Sequence, residues 1–193
     1  MTEPERIGFV GRGGEKLDFA LNAFAIDATD LVCADLGSHV GGFVDCLRQR
    51  GAAKVYSIDT SYGTLAWRLR NDPRVVVMER TNALHVTLPE PVDLVTVDVG
   101  WTRQEHILPA ARRLVKPEGW IVSLVKPPYE ARVTERHRGV VGSDHVSPVM
   151  RRVWEGLVAL DVGPTTMARS PIRGGAGNVE FFVLVPGRTT GTT

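Results

Sequence analysis

Four charged side chains lie where apolar runs begin or end, and their types suit moving a proton at an oxygen nucleophile. Asp98 closes LVTVD and Lys126 closes WIVSLVK, so both are expected at strand tips on one rim. A lysine that ends an apolar strand loses solvation, and a second ammonium nearby further favours its neutral, basic form. Lys16, in RGGEKL at the start of a helical segment, is the candidate for that second ammonium. Glu180, in GNVEF at the start of the last apolar run, is placed to orient the pair or position a substrate. Any one of these alone also reads as a solvated charge at the end of an element; the combination points to catalysis.

A second constellation precedes them. The first apolar run ends in ADLGSHVGGFVDCL, which sets Asp35, Gly37, Ser38, Gly41 and Gly42 ahead of a helix. In open α/β sheets ligands sit beyond the carboxyl ends of the strands, where glycine lets backbone approach closely. A dinucleotide fingerprint reads G-x-G-x-x-G, whereas this turn reads G-x-x-x-G-G. Asp35 puts a carboxylate where a pyrophosphate would otherwise lie, which opposes a diphosphate and suits a cationic or zwitterionic ligand. Asp59 ends the next run, 22 positions beyond Gly37, and suits the two hydroxyls of an adenosine ribose. An acid beside glycines plus a ribose acid, without a phosphate cradle, points to S-adenosyl-L-methionine rather than a nicotinamide dinucleotide. No G-x-x-x-x-G-K-[ST] occurs, which excludes a P-loop. His39, His85, His106, His137 and His145 show no metal-ligand spacing, so no metal site is expected.

Composition bounds the rest. The 193 residues suit one domain, and 43% hydrophobic content supports a real core. With 23 basic against 22 acidic side chains, a binder that works by net charge alone is excluded, though a local basic patch is not. Cys33 and Cys46 form no disulfide or zinc pattern and read as buried thiols of a cytosolic protein. The start MTEPERIGFV lacks a signal-peptide core, and no run approaches the roughly 18 apolar residues of a membrane span. A cytoplasmic protein without a membrane partner is therefore expected.

The elements that must position these residues follow from short apolar, β-branched runs. Leu31–Leu36, Lys54–Ile58, Val75–Met78, Leu94–Val97 and Trp120–Val125 lack polar alternation, as strands covered on both faces do. Helical patterns lie between them at about 42–50, 62–71 and 103–115, and Leu17, Leu21 and Phe24 mark a helix before the first strand. A polar loop runs from Lys126 to about Ser143, a helix to about Glu155, then strands near Leu157–Val162 and Val179–Val185. This order predicts a Rossmann-like, doubly wound, mostly parallel seven-stranded α/β sheet. Residues 1–185 read as one domain, and Pro186–Thr193, with nothing to bury, as a disordered tail.

At this point the chain resembles a known family. The segments RGGEKL, ADLGSHVGGFVDCLRQRGA, VYSIDTSYGTLAWRLRNDPRVVVMERTNA, DLVTVDV, LVKPPYEA and SPIRGGAGNVEF are similar to the methyltransferase domain of TlyA-type proteins. These belong to the FtsJ-like ribosomal RNA 2′-O-methyltransferases, often labelled haemolysins, and usually carry an N-terminal S4-like RNA-binding domain ahead of this core. The resemblance implies the class I fold, S-adenosyl-L-methionine as cofactor, and transfer to a ribose 2′-hydroxyl. It also implies a Lys16, Asp98, Lys126, Glu180 tetrad with Lys126 as base. Asp35, Gly37, Ser38, Gly41 and Gly42 would then contact the methionine part, Asp59 the ribose, and Asn82 and Ala83 the adenine edge. The chain departs from the family pattern at His39-Val40, within the glycine turn, and at Gly100-Trp101, after Asp98.

Arg132, Arg136, His137 and Arg138 follow Lys126, Arg151-Arg152 come next, and Arg12, Arg169 and Arg173 flank the tetrad segments. They suit phosphate contacts, while Trp101 or Tyr129 could stack an extruded base. With a net charge of +1, recognition of an assembled ribosomal subunit, or help from a protein that supplies RNA affinity, fits better than tight binding to free RNA. Two other readings stand beside this one: a ribosome-binding assembly factor that keeps the fold without the chemistry, and a small-molecule O-methyltransferase. A pore-forming haemolysin is opposed by the lack of any span or basic amphipathic membrane helix.

Overall fold

The computed structural model describes residues 8–187. Helix α1 (Arg12–Ala23) leads into β1 (Val32–Leu36), and α2 (Gly42–Gln49) connects it to β2 (Lys54–Ile58). A single helical turn, α3 (Trp67–Arg70), precedes β3 (Val75–Met78). Strand β4 (Val92–Val97), α4 (Gln104–Arg112) and β5 (Val115–Val125) follow, then the short α5 (Pro127–Glu130). A small hairpin, β6 (Arg136–His137) and β7 (Val140–Val141), leads to α6 (Ser143–Ala159), β8 (Thr166–Arg169) and β9 (Phe181–Pro186).

Seven strands form one sheet in the order β3-β2-β1-β4-β5-β9-β8. The first five run parallel, and β9 inserts antiparallel between β5 and β8. Chain order reverses direction between β1 and β4, which opens a crevice above their carboxyl ends. Alternate strand residues feed two cores, as expected when helices cover both faces. Cys33, Leu94 and Val122 pack with Leu17, Leu21, Phe43 and Leu47 from α1 and α2. Ala34, Val95 and Ile121 pack with Ile107 and Leu108 of α4 and Met150 and Leu157 of α6. Both cysteines are buried and neither forms a disulfide.

The five parallel strands lie where their apolar runs lie, but three expectations are corrected. The helix expected over 62–71 is only Trp67–Arg70. Ahead of it Gly63 takes φ +73°, its N–H donates to Glu79 Oε1 at 2.7 Å, and Ser61 and Thr64 hydroxyls pair at 2.6 Å. Those bonds hold a loop where the sequence offered a helix.

The strand expected over 157–162 is instead the end of α6. The Val162 N–H donates to Leu157 O, and the Asp161 N–H to Val158 O, both at 3.0 Å, with Asp161 at φ +53°. This is a Schellman closure, whose apolar pair flanking the left-handed residue reads like a strand in sequence. Leu157 and Val162 sit together in the core. The strand lies further on, at Thr166–Arg169. Two residues expected in the tail belong to the fold: Pro186 ends β9, and the Gly187 N–H donates to Gly119 O at 2.7 Å. Residues 188–193 lie outside the described residues.

The Schellman closure makes a direct prediction, because a left-handed backbone costs an L-residue energy that glycine avoids. Asp161→Gly is expected to raise stability by about 0.5 kcal/mol, a Tm increase of roughly 1–2 °C for a chain this size. A fall in Tm on thermal unfolding would contradict that reading of the helix end.

Candidate active site

The rim above β1, β2, β4 and β5 carries two adjoining cavities. The larger, about 630 Å³, lies over the glycine turn. Lys16, Asp35, Gly37, Ser38, Gly42, Asp59, Asn82, Ala83, Asp98 and Lys126 all line it. The smaller, about 430 Å³, is bounded by Trp101, Tyr129, Arg136, Asn178 and Glu180. Lys126 and Trp101 line both, so these two residues stand at the common boundary.

The glycine turn is built by close approach. The Gly37 and Ser38 N–H groups both donate to Ile58 O, at 2.9 and 3.1 Å, which draws the turn onto the tip of β2. Gly37 holds φ +91°, and a β-carbon there would lie 2.6 Å from Asp98 O, so a side chain fits neither the backbone nor the space. The Gly42 α-carbon packs on Gly13 and Gly14, bringing α2 against α1 and Lys16 to the cavity wall.

The other two residues of the turn differ in their placement. Gly41 does not line the cavity; a β-carbon there would run into Leu65 and Leu69, so its place is in the packing behind the turn. Ser38 lines the cavity, but its buried hydroxyl accepts a hydrogen bond from the Ser57 hydroxyl at 2.8 Å, which ties it to β2.

Asp35 is fully buried at the base of the cavity. One of its oxygens accepts from the Thr96 hydroxyl at 2.7 Å, whereas Oδ2 has no partner. An unpaired buried carboxylate oxygen is costly. Burial pushes its pKa up to about 8 against the pull of the Thr96 bond, and the negative charges of Asp98 and Asp59 add to the rise.

Asp59 is held differently. Its Oδ2 accepts from the His39 N–H at 2.8 Å and Oδ1 from the Ser61 N–H at 2.7 Å. Burial pushes it up, but the bonds from Ser61 and His39 outweigh this and hold it below the usual carboxylate range. His39, at φ +46°, lends its backbone to that carboxylate. Asn82 accepts the Leu84 N–H at 2.9 Å, which fixes the turn that brings Asn82 and Ala83 to the far wall.

The four charged residues form two ion pairs. Lys126 Nζ lies 2.5 Å from Asp98 Oδ1, out of line for a hydrogen bond, and donates to Val99 O at 3.3 Å. Lys16 Nζ donates to Glu180 Oε2 at 2.5 Å, and both side chains are buried. The sequence suggested Lys16 as a cation acting on Lys126; the fold gives Lys16 its own carboxylate from 164 positions away. Glu180 lines only the smaller cavity.

Trp101 was noted in sequence as an exposed aromatic, but its arrangement was not legible there. It is 83% exposed and takes φ +64°, a strained backbone for so bulky a residue. Its ring centroid lies 5.0 Å from that of Tyr129, at a 38° tilt. Thr96 and Asn178 were not singled out, since each acts through a partner distant in sequence.

The model of the FtsJ-like methyltransferase family matches residues 9–185. This chain belongs to that family. It is 42% identical to the 16S/23S rRNA (cytidine-2′-O)-methyltransferase TlyA of Mycobacterium tuberculosis over 98% of this chain and 72% of that one. It is 40% identical to the "Putative rRNA methyltransferase YqxC" of Bacillus subtilis over 91% of this chain, but spans only 64% of that protein. A crystal structure from Lactococcus lactis, described as "a putative hemolysin", superposes with a TM-score of 0.88 at 33% identity, over 95% of this chain and 91% of that one. Remoter methyltransferase structures, at 14–15% identity, share the fold alone.

Membership brings S-adenosyl-L-methionine, the cofactor that the glycine turn suggests, and the cavity fits it. The unpaired Asp35 Oδ2 is an acceptor awaiting a cation, and the turn has no phosphate cradle. No helix among the described residues is long and apolar enough to cross a membrane.

Asp35 makes the fit testable. In the folded chain it keeps its proton to about pH 8, whereas an unfolded carboxyl keeps it only to about pH 4. The folded state therefore binds more protons across that window, and the stability of the free protein falls as pH rises through it. A cationic ligand paired with Asp35 must expel that proton. Calorimetry near pH 6.5 in buffers of different ionisation enthalpy is expected to show about one proton released per S-adenosyl-L-methionine bound. Asp35→Asn is expected to abolish the release and weaken binding by about 10- to 100-fold. Proton-neutral binding by the wild type would contradict this pairing.

Proposed function

We propose that this chain transfers the methyl group of S-adenosyl-L-methionine to a ribose 2′-hydroxyl of ribosomal RNA. The observation that carries the reading is the position of Lys126: it faces the cofactor-sized cavity on one side and the smaller cavity on the other. A group between two substrates is where a proton must leave an attacking hydroxyl. The relatives named as rRNA (cytidine-2′-O)-methyltransferases support ribosomal RNA, and cytidine, as the acceptor.

When bound, the cofactor supplies an electrophilic methyl group on a sulfonium. The chain aligns an oxygen with that methyl and removes its proton. With its amine in the neutral form, Lys126 takes the proton from the 2′-hydroxyl as the oxygen–carbon bond forms and the methyl–sulfur bond breaks, its electron pair staying on sulfur; Asp98, 2.5 Å away, balances the ammonium that results. Lys16 and Glu180 pair beneath the acceptor side and fix the wall against which the ribose lies. Asp35 meets the methionine end, Asp59 the ribose hydroxyls, and Asn82 with Ala83 the adenine. Trp101 and Tyr129 offer ring faces to a base drawn out of the RNA stack.

The arginines distribute unevenly. Arg136 and Arg138 sit on the hairpin and Arg173 on the facing loop, whereas Arg152 is tied to Glu135 at 2.6 Å. With a net charge of +1, docking to an assembled ribosomal subunit, or binding aided by a protein that supplies RNA affinity, suits the chain better than capture of free RNA.

Lys126→Ala is the test. With tritiated methyl donor and ribosomal subunits from a strain lacking its own methylation, transfer is expected to fall by about 10²- to 10⁴-fold. Affinity for S-adenosyl-L-methionine is expected to stay within about threefold. Undiminished transfer would remove Lys126 as the base. Cofactor binding by the wild type with no transfer to any subunit would favour the ribosome-binding factor instead.

A further inference from the structure

Two segments that share no strand pairing face each other across the smaller cavity, beside Trp101, Lys126, Tyr129 and Glu180: the β6–β7 hairpin and the loop Gly174–Asn178. The hairpin has only two residues per strand, and its turn residues Arg138 (φ +47°) and Gly139 (φ +79°) both lie in the left-handed region, as a two-residue turn of type I′ requires. A ribbon so short does not hold itself together. It is tied at one end by Arg136, which donates to Pro128 O at 2.8 Å, and by Val141 in a small cluster with Ala131 and Val149.

The other tie is a single side chain. The Asn178 carboxamide nitrogen donates to Gly139 O at 2.9 Å, in the hairpin turn, and to Gly175 O at 3.3 Å, in its own loop. Its carboxamide oxygen accepts the Val141 N–H at 3.1 Å. Its backbone carbonyl accepts the Gly174 N–H at 2.9 Å, closing the loop on itself. Gly174 packs directly on the Glu180 carboxylate, where a β-carbon would collide with Oε1. The loop that grips the hairpin is thus the loop that wraps the Lys16–Glu180 pair.

We propose that Asn178 is a positioning residue for the acceptor: its carboxamide clasps the hairpin to the Glu180 loop and so sets the width of the cavity in which the nucleotide meets Lys126. This rests on the smaller cavity being the acceptor site. Only a carboxamide serves here, because the same group must accept from one N–H and donate to two carbonyls. Aspartate has the same shape and keeps the acceptor, but sets a carboxylate against the Gly139 and Gly175 carbonyls.

The test compares Asn178→Ala and Asn178→Asp with wild type, using tritiated S-adenosyl-L-methionine and unmethylated ribosomal subunits as acceptor. In both variants KM for subunits is expected to rise by about 10- to 100-fold. The dissociation constant for S-adenosyl-L-methionine is expected to stay within about twofold, and amide exchange to accelerate in 136–142 but not in the sheet. Wild-type KM in Asn178→Asp would reduce the residue to a space-filler, and wild-type KM in both would leave it no role; either overturns the proposal. So would faster exchange spread through the sheet, which marks a general fold defect. If the wild type binds cofactor yet methylates no subunit, the acceptor reading falls and the clasp with it. Transfer by the wild type with unaltered variants overturns the clasp alone.

Discussion

Lys126 and Asp98 directly follow β5 and β4, adjacent parallel strands held in register by Thr96 opposite Val122 and Val97 opposite Ser123. Two opposite charges that close, at a rim open on both sides, govern the geometry around them. The larger cavity reaches the pair from the glycine turn, and the smaller reaches it from the hairpin and the Glu180 loop. Hydrogen bonding to β1 reinforces the arrangement, since the Asp98 N–H donates to Leu36 O at 2.9 Å. The same backbone therefore sets both the turn beneath the cofactor and the carboxylate beside the lysine.

Packing supports this rim from below. Twin apolar layers clamp the sheet, so strand ends cannot slide without moving Phe182 or Ile121, both fully buried. Truncating a side chain such as Phe182 would cost roughly 3–5 kcal/mol, a large share of what holds a domain this size together. Against that background Lys16 and Glu180 are a deliberate expense. A buried ion pair seldom adds net stability over apolar packing, but losing one partner strands the other charge. Its place beside the smaller cavity fits the proposed role in placing groups rather than in holding the fold.

Much of this was legible in the sequence wherever the signal was local. Lys54–Ile58 and Val75–Met78 lie at their expected bounds, because a parallel strand covered on both faces has an unbroken apolar run. The glycine turn and Asp59 were legible for a similar reason: a close backbone approach demands glycine at fixed offsets from a strand end. Signals that depend on distant partners were not. Leu157 and Val162 imitate a strand because a Schellman closure also pairs apolar residues across a short polar gap. Glu180 was named beside the two lysines, but that it pairs with Lys16 while Asp98 pairs with Lys126 was not legible, since each pair joins distant segments. The smaller cavity has no periodicity of its own, because its walls come from segments far apart in the chain, two of them joined through Asn178.

The atom that receives the methyl group decides between a ribose and a base as acceptor. The direct measurement is to incubate the purified protein with trideuteromethyl S-adenosyl-L-methionine and unmethylated ribosomal subunits, digest the RNA to nucleosides, and locate the label by mass spectrometry. The account predicts label on a ribose, as a 2′-O-trideuteromethyl nucleoside and in particular cytidine. Label on a base would contradict it, because a base nitrogen or carbon needs neither Lys126 at the boundary nor a hydroxyl beside it.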